Sequence, residues 1–109
     1  MKVSVSGKQI ELKKAFRSRA VKEVSSTFEK YFDHAVHAHV VVSHDGPMFR
    51  ADIFVNVGHG LDFQGHGEAE EVYPAFELAL ERTAKQLRRQ KRKLRDHHRR
   101  AARNAAIGE

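Results

Sequence analysis

The sequence contains no cysteine. That excludes disulfides, thiolate nucleophiles and cysteine-ligated zinc. No apolar run approaches the roughly 18 residues of a membrane-spanning helix, so no membrane partner is expected. The opening Met1-Lys2-Val3-Ser4-Val5 alternates polar and apolar residues and lacks the apolar block of a secretory signal. A cytoplasmic protein is the expectation.

Catalytic and metal-binding patterns are equally scarce. None of Ser4, Ser6, Ser18, Ser25, Ser26 and Ser43 sits in a Gly-x-Ser-x-Gly elbow. No His-Glu-x-x-His spacing occurs among the eight histidines. His37 and His39 lie two apart on a strand and share a side, and His59 or His66 can approach from turns. No carboxylate completes a ligand spacing, and the adjacent His97 and His98 diverge on a helix. Exposed sheet histidines are expected there, with no metal. Gly58, Gly60, Gly65 and Gly67 surround a short strand and no Lys-Ser or Lys-Thr follows them, so a phosphate-binding P-loop is excluded. The carboxylates are scattered, without an evident buried pair. No enzyme, cofactor or small-molecule substrate is expected.

What is present is charge, unevenly placed. The 109 residues suit one domain, with 40% hydrophobic and 31% charged residues. Residues 1–84 hold ten Lys+Arg against twelve Asp+Glu, a net −2. Residues 85–109 hold ten Lys+Arg against Asp96 and Glu109, a net +8. A near-neutral body with one strongly cationic end points to a polyanion partner, or to a solvated basic tail.

Periodicity gives the elements. Residues 2–6 alternate as a strand ending at Gly7. From Ile10, the residues Leu12, Ala15, Phe16, Ala20, Val24, Phe28, Tyr31 and Phe32 recur at spacings of three and four, predicting a helix of about 22 residues. A valine-rich strand over 36–44, the turn Asp45-Gly46-Pro47 and a strand over 48–57 follow. Gly58-His59-Gly60 predicts a hairpin turn, Leu61–Gln64 a short strand and Gly65-His66-Gly67 a loop. A second helix begins near Glu70, with Pro74 tolerated in its first turn. Its buried stripe is Val72, Phe76, Ala79, Leu80, Thr83, Ala84 and Leu87. The order β-α-β-β-β-α predicts an α+β domain, a four-stranded sheet with both helices on one face. Most phenylalanines fall on buried faces, but Phe49 and Phe54 take opposite faces of the third strand, so one of them is more exposed.

The second helix carries the main candidate site. Arg82, Lys85, Arg89, Arg92 and Lys93 lie near one another at helical spacing, and Arg88, Lys91 and Arg95 widen the surface. Arginine and lysine on a rigid helix match a track of phosphates. Such contacts give affinity and salt dependence with little sequence information.

Taken in order, several segments resemble the bacterial ribosome hibernation promoting factors, also called ribosome-associated inhibitors or sigma-54 modulation proteins. They are the strand ending in Gly7, Tyr31-Phe32-Asp33, the valines at 40–42, Ala51-Asp52, and Val55-Asn56-Val57. Glu71-Val72-Tyr73-Pro74-Ala75-Phe76-Glu77 and Arg82-Thr83-Ala84-Lys85-Gln86-Leu87 follow. The resemblance covers residues 1 to about 98. It implies a fold similar to the double-stranded-RNA-binding domain. It also implies binding to the small ribosomal subunit between head and body near the decoding centre, which blocks the mRNA and tRNA sites and inhibits translation in stationary phase. Arg82, Lys85, Arg89, Lys91, Lys93 and Arg95 would then contact 16S rRNA, with Lys22 and Lys30 on the first helix as further candidates. Tyr73 and Phe76 would hold the second helix on the sheet. Glu68-Ala69 departs from the Glu-Gly common in the family, which puts the helix entry in question.

On this reading residues 1–95 form a ribosome-binding domain and 96–109 a basic tail or the start of a linker. Long family members add a C-terminal domain that pairs two 70S ribosomes into a 100S dimer, so a short factor and the N-terminal part of a long one both remain open. Two other functions also remain: a general structured-RNA binder, and a module whose exposed sheet pairs with a protein partner such as a transcription factor.

Overall fold

The computed structural model describes residues 2–30, 37–57 and 62–107, with side chains described through residue 90. Six elements follow one another: β1 (Lys2–Gly7), α1 (Lys14–Glu29), β2 (His37–Asp45), β3 (Met48–Asn56), β4 (Asp62–Ala69) and α2 (Val72–Ile107). The sheet order is β1-β2-β3-β4. β1 runs parallel to β2 because α1 crosses between them, whereas β2, β3 and β4 pair antiparallel. At the β2–β3 hairpin, Gly46 takes φ +60°, a conformation open to glycine without a Cβ clash.

The period-2 pattern of the strands sorts the sheet into two faces. Ala38, Val40 and Val42 of β2, Ala51, Ile53 and Val55 of β3, and Phe63 of β4 are buried beneath the helices. Phe28 of α1 and Phe76 and Leu87 of α2 complete this core, all fully buried. Phe16 meets Phe76 edge-to-face at 5.7 Å between ring centroids, joining the two helices. Buried Thr83 satisfies its hydroxyl within the helix by donating to the Ala79 carbonyl at 2.7 Å. The other face of the sheet carries His37, His39, Phe54, Asn56, Gln64 and His66, all exposed.

Three elements differ from the sequence expectation. α1 has 16 residues and begins at Lys14, not near Ile10. The Lys8 N–H instead donates to the Val42 carbonyl at 2.8 Å, prolonging the pairing of β1, and Gln9 turns the chain with φ 60°. Leu12 is buried and Ile10 packs against the core from this connection, so their apolar spacing records burial without helix. Ala15 is exposed. The expected helix end at Tyr31–His34, the turn Gly58-His59-Gly60 and Leu61 lie outside the described residues.

β4 is the second difference, extending to Ala69 through Gly65-His66-Gly67. A Cβ on Gly65 would lie 2.3 Å from the Thr83 hydroxyl and 3.1 Å from the Ala79 carbonyl oxygen. One on Gly67 would lie 2.6 Å from the Ala75 carbonyl oxygen. These glycines let α2 lie directly on the strand. The third difference is the helix entry: α2 starts at Val72, two residues later than expected, leaving Glu68, Glu70 and Glu71 ahead of it. Its 36 residues reach about 54 Å at 1.5 Å per residue, against a longest molecular dimension of 61 Å.

Candidate nucleic-acid interface

The buried stripe of α2, through Ala75, Phe76, Ala79, Thr83 and Leu87, fixes the rotation of the helix on the sheet. That rotation divides the cations. Arg82, Lys85 and Arg89 are exposed and line one groove of about 350 Å³ with Gln64, His66 and Gln86, along the outer edge of β4. Arg88, also exposed, lies on the opposite flank. There it shares a groove of about 400 Å³ with Glu23, Tyr73, Glu77 and Glu81, between α1 and α2. The eight α2 candidates therefore do not form one patch: three described cations converge, and Arg88 stands apart among carboxylates. Lys91, Arg92, Lys93 and Arg95 continue the same helix, with side chains outside the described residues.

Lys22 and Lys30 are exposed. Lys22 lies midway between buried Ala20 and Val24, about 200° around the helix from each, so it faces away from the sheet. Neither lysine lines a groove with the α2 cations.

Arg82 has a second task. Its Nη1 donates to the His66 carbonyl at 2.8 Å, and about one helical turn further along the Gln86 side-chain oxygen accepts from the Gln64 N–H at 2.9 Å. These side chains cap the free edge of β4. The opposite edge is treated alike, for Arg17 Nη1 on α1 donates to the Val5 carbonyl of β1 at 3.0 Å. A sheet whose edge groups are occupied is a poor template for an added strand. A guanidinium has five N–H donors, so Arg82 keeps donors for a phosphate.

Tyr73 ties the helices together. Its hydroxyl donates to Glu23 Oε1 at 2.6 Å, and the Arg19 guanidinium sits 4.0 Å above its ring. The hydrogen bond to Glu23, aided by desolvation, pushes the Tyr73 phenol up to about 12. Phe76 lies against the sheet core, whereas Tyr73 braces α2 against α1. On the open face Arg50 bonds Asp52 at 3.1 Å and reaches Glu68 at 3.7 Å, and the Asp52 contact holds its guanidinium more firmly protonated.

Of the two phenylalanines left open by the sequence, Phe54 is the exposed one at 40%. Phe49 packs against the core and lies 4.7 Å from the His44 ring. Among the described residues, no three His, Asp or Glu side chains gather as metal ligands, and no helix is long and apolar enough to cross a membrane. Sequence reasoning missed Gln86 and Arg17 as edge caps and Arg19 as the partner of Tyr73. Nothing in a local pattern marks a side chain that reaches another element.

Residues 3–95 match the family described as sigma 54 modulation protein / S30EA ribosomal protein. A ribosome hibernation promotion factor of Rhizobium meliloti is 42% identical over 98 residues, covering 90% of this chain and 52% of that protein. Its counterpart in Bradyrhizobium diazoefficiens is 31% identical over 107 residues, covering 98% of this chain and 51% of that protein. This chain thus spans about half the length of both relatives. Among solved structures, the Thermus thermophilus Protein Y N-terminal domain superposes with a TM-score of 0.72 at 28% identity, covering 82% of this chain and 98% of that domain.

Proposed function

The chain belongs to the sigma 54 modulation protein / S30EA ribosomal protein family, and from that premise we propose that it is a ribosome hibernation factor. It binds the small ribosomal subunit near the decoding centre, occupies the mRNA and tRNA sites, and inhibits translation in stationary phase. The relatives from Rhizobium and Bradyrhizobium, both named ribosome hibernation promotion factors, support the role. The observation that carries the contact is the convergence of Arg82, Lys85 and Arg89 on one exposed groove of a rigid helix.

In this reading residues 1–95 are the ribosome-binding domain, and residues 96–109 lead away from it as a basic tail or linker. The groove cations, with Lys91, Lys93 and Arg95 further along, sit on 16S rRNA phosphates, and Arg88, Arg92, Lys22 and Lys30 contribute peripherally. Inhibition is by occupancy in the cytoplasm, with no bond made or broken and no cofactor. The small subunit is engaged within the 70S ribosome or a 100S ribosome dimer. The capped edges of β1 and β4 weigh against a protein partner joining the sheet by strand addition.

The test is sedimentation of the purified chain with small subunits and 70S ribosomes at low and moderate salt. Near-stoichiometric co-sedimentation is expected, and the combined Lys85→Glu, Arg89→Glu and Lys93→Glu variant should abolish it. Arg82 is left in place because it also braces His66. Wild-type binding shared equally with any duplex RNA would reduce the chain to a general structured-RNA binder.

A further inference from the structure

Phe54 is the one exposed phenylalanine among the described residues, and it stands in the middle of a strand. It lies on β3, directly opposite His39 of β2, so the two rings occupy the two central strands of the open face side by side. His39 is held in place from β1: the Ser4 hydroxyl bonds its Nδ1, and Ser6 Oγ lies 3.4 Å from its Nε2. The rings border a cleft of about 670 Å³ whose lining includes Lys2, Ser4, Gln64 and Gln86. Gln64 and Gln86 also line the cationic groove of Arg82, Lys85 and Arg89. The two depressions therefore adjoin at the edge of β4, the strand next to that of Phe54.

We propose that this open sheet face, centred on Phe54 and His39, is a stacking platform for unpaired RNA bases whose phosphates follow the Arg82–Lys85–Arg89 groove. The inference rests on the RNA-binding reading above and adds a second class of contact to it. A cationic groove attracts phosphates of any RNA, whereas an exposed ring next to it offers a surface only to bases free of a duplex. The carboxylates of this face are already engaged. Asp52 and Glu68 face Arg50, and Asp62 accepts from the Asn56 amide at 2.6 Å. Side chains already occupy the Val5 carbonyl on one sheet edge and the Gln64 N–H and His66 carbonyl on the other, which favours the face over the edges as the ligand surface.

The experiment compares equilibrium binding of the full chain to labelled oligouridylate, which stays unpaired, and to a labelled fully paired RNA duplex. Phe54→Ala is expected to weaken oligouridylate binding about tenfold while leaving duplex binding unchanged. Phe54→Trp should retain the affinity, and Phe54→Leu, apolar but without a ring, should lose it as alanine does. The Lys85→Glu, Arg89→Glu variant should weaken both RNAs. Oligouridylate binding unaffected by Phe54→Ala, or an equal loss on both RNAs, overturns the platform while the cationic groove stands. A wild-type chain that binds neither RNA overturns the RNA-binding reading together with the platform.

Discussion

Tyr73 shows how much a single side chain can report about this molecule. Its hydroxyl crosses from α2 to Glu23 on α1, and that contact pushes the phenol up to about 12, from an ordinary value of 10.0. A raised phenol pKa means that the folded state holds the proton more tightly than the unfolded chain does. The stabilising contribution is therefore complete below about pH 10 and is lost as the pH rises from 10 toward 12. Tyr73 is half-buried, so screening keeps the effect on stability small, and the titration itself is the sharper readout. The chain has two tyrosines, so a Tyr31→Phe variant leaves Tyr73 as the sole phenol absorbing on ionisation. Its absorbance midpoint should lie near 12 and fall when Glu23→Gln removes the charged acceptor. A midpoint near 10 in the Tyr31→Phe chain would show that Tyr73 and Glu23 are apart in solution.

Between elements, the decisive contact is α2 lying on β4 with no side chain between them. Gly65 and Gly67 do not have positive φ, which among the described residues is confined to Gln9 and Gly46. Their requirement is for space, since an added Cβ would meet helix backbone at 2.9 Å from the Thr83 nitrogen or 2.6 Å from the Ala75 carbonyl oxygen. Gly65→Ala and Gly67→Ala should each lower stability by about 1–3 kcal/mol, the usual range for overpacking. Urea unfolding measures this, and a midpoint equal to wild type would mean that the helix rides higher than its observed position. The same glycines explain where sequence reading failed. Glycine near a predicted turn is read as loop, and only the approach of a helix from elsewhere in the chain reveals it as the floor of a packing contact. Ile10 and Leu12 misled in a related way, because their apolar spacing satisfies a helical period while they lie in the connection between β1 and α1 and pack against the core from there. By contrast β2, β3 and most of the buried stripe of α2 were legible, since burial on one face imposes its period on the sequence, although the stripe was read without buried Ala75 and with Val72 and Leu80, which are only partly buried.

Across the whole molecule, the net charge of −2 over residues 1–84 and +8 over residues 85–109 was readable by counting, and it located the candidate site on α2. Counting could not say which flank of the helix each cation occupies, because that depends on how Thr83 and Leu87 seat α2 on the sheet. The distinction has a measurable consequence. Each phosphate neutralised by a protein cation contributes about 0.7–0.9 to the slope of log affinity against log salt. Lys85→Gln and Arg89→Gln, which lie in the groove beside β4, should each reduce the slope for duplex RNA by about that amount. Arg88→Gln should leave the slope nearly unchanged, because Arg88 shares its groove with Glu77 and Glu81 of its own helix and Glu23 of α1, where a phosphate would be repelled. Binding titrations at several salt concentrations measure all three slopes. Equal reductions for Lys85, Arg88 and Arg89 would mean that RNA envelops both flanks of α2. A loss confined to Lys85 and Arg89 fixes the polyanion on the β4 side, the side that leads over the sheet edge toward Phe54.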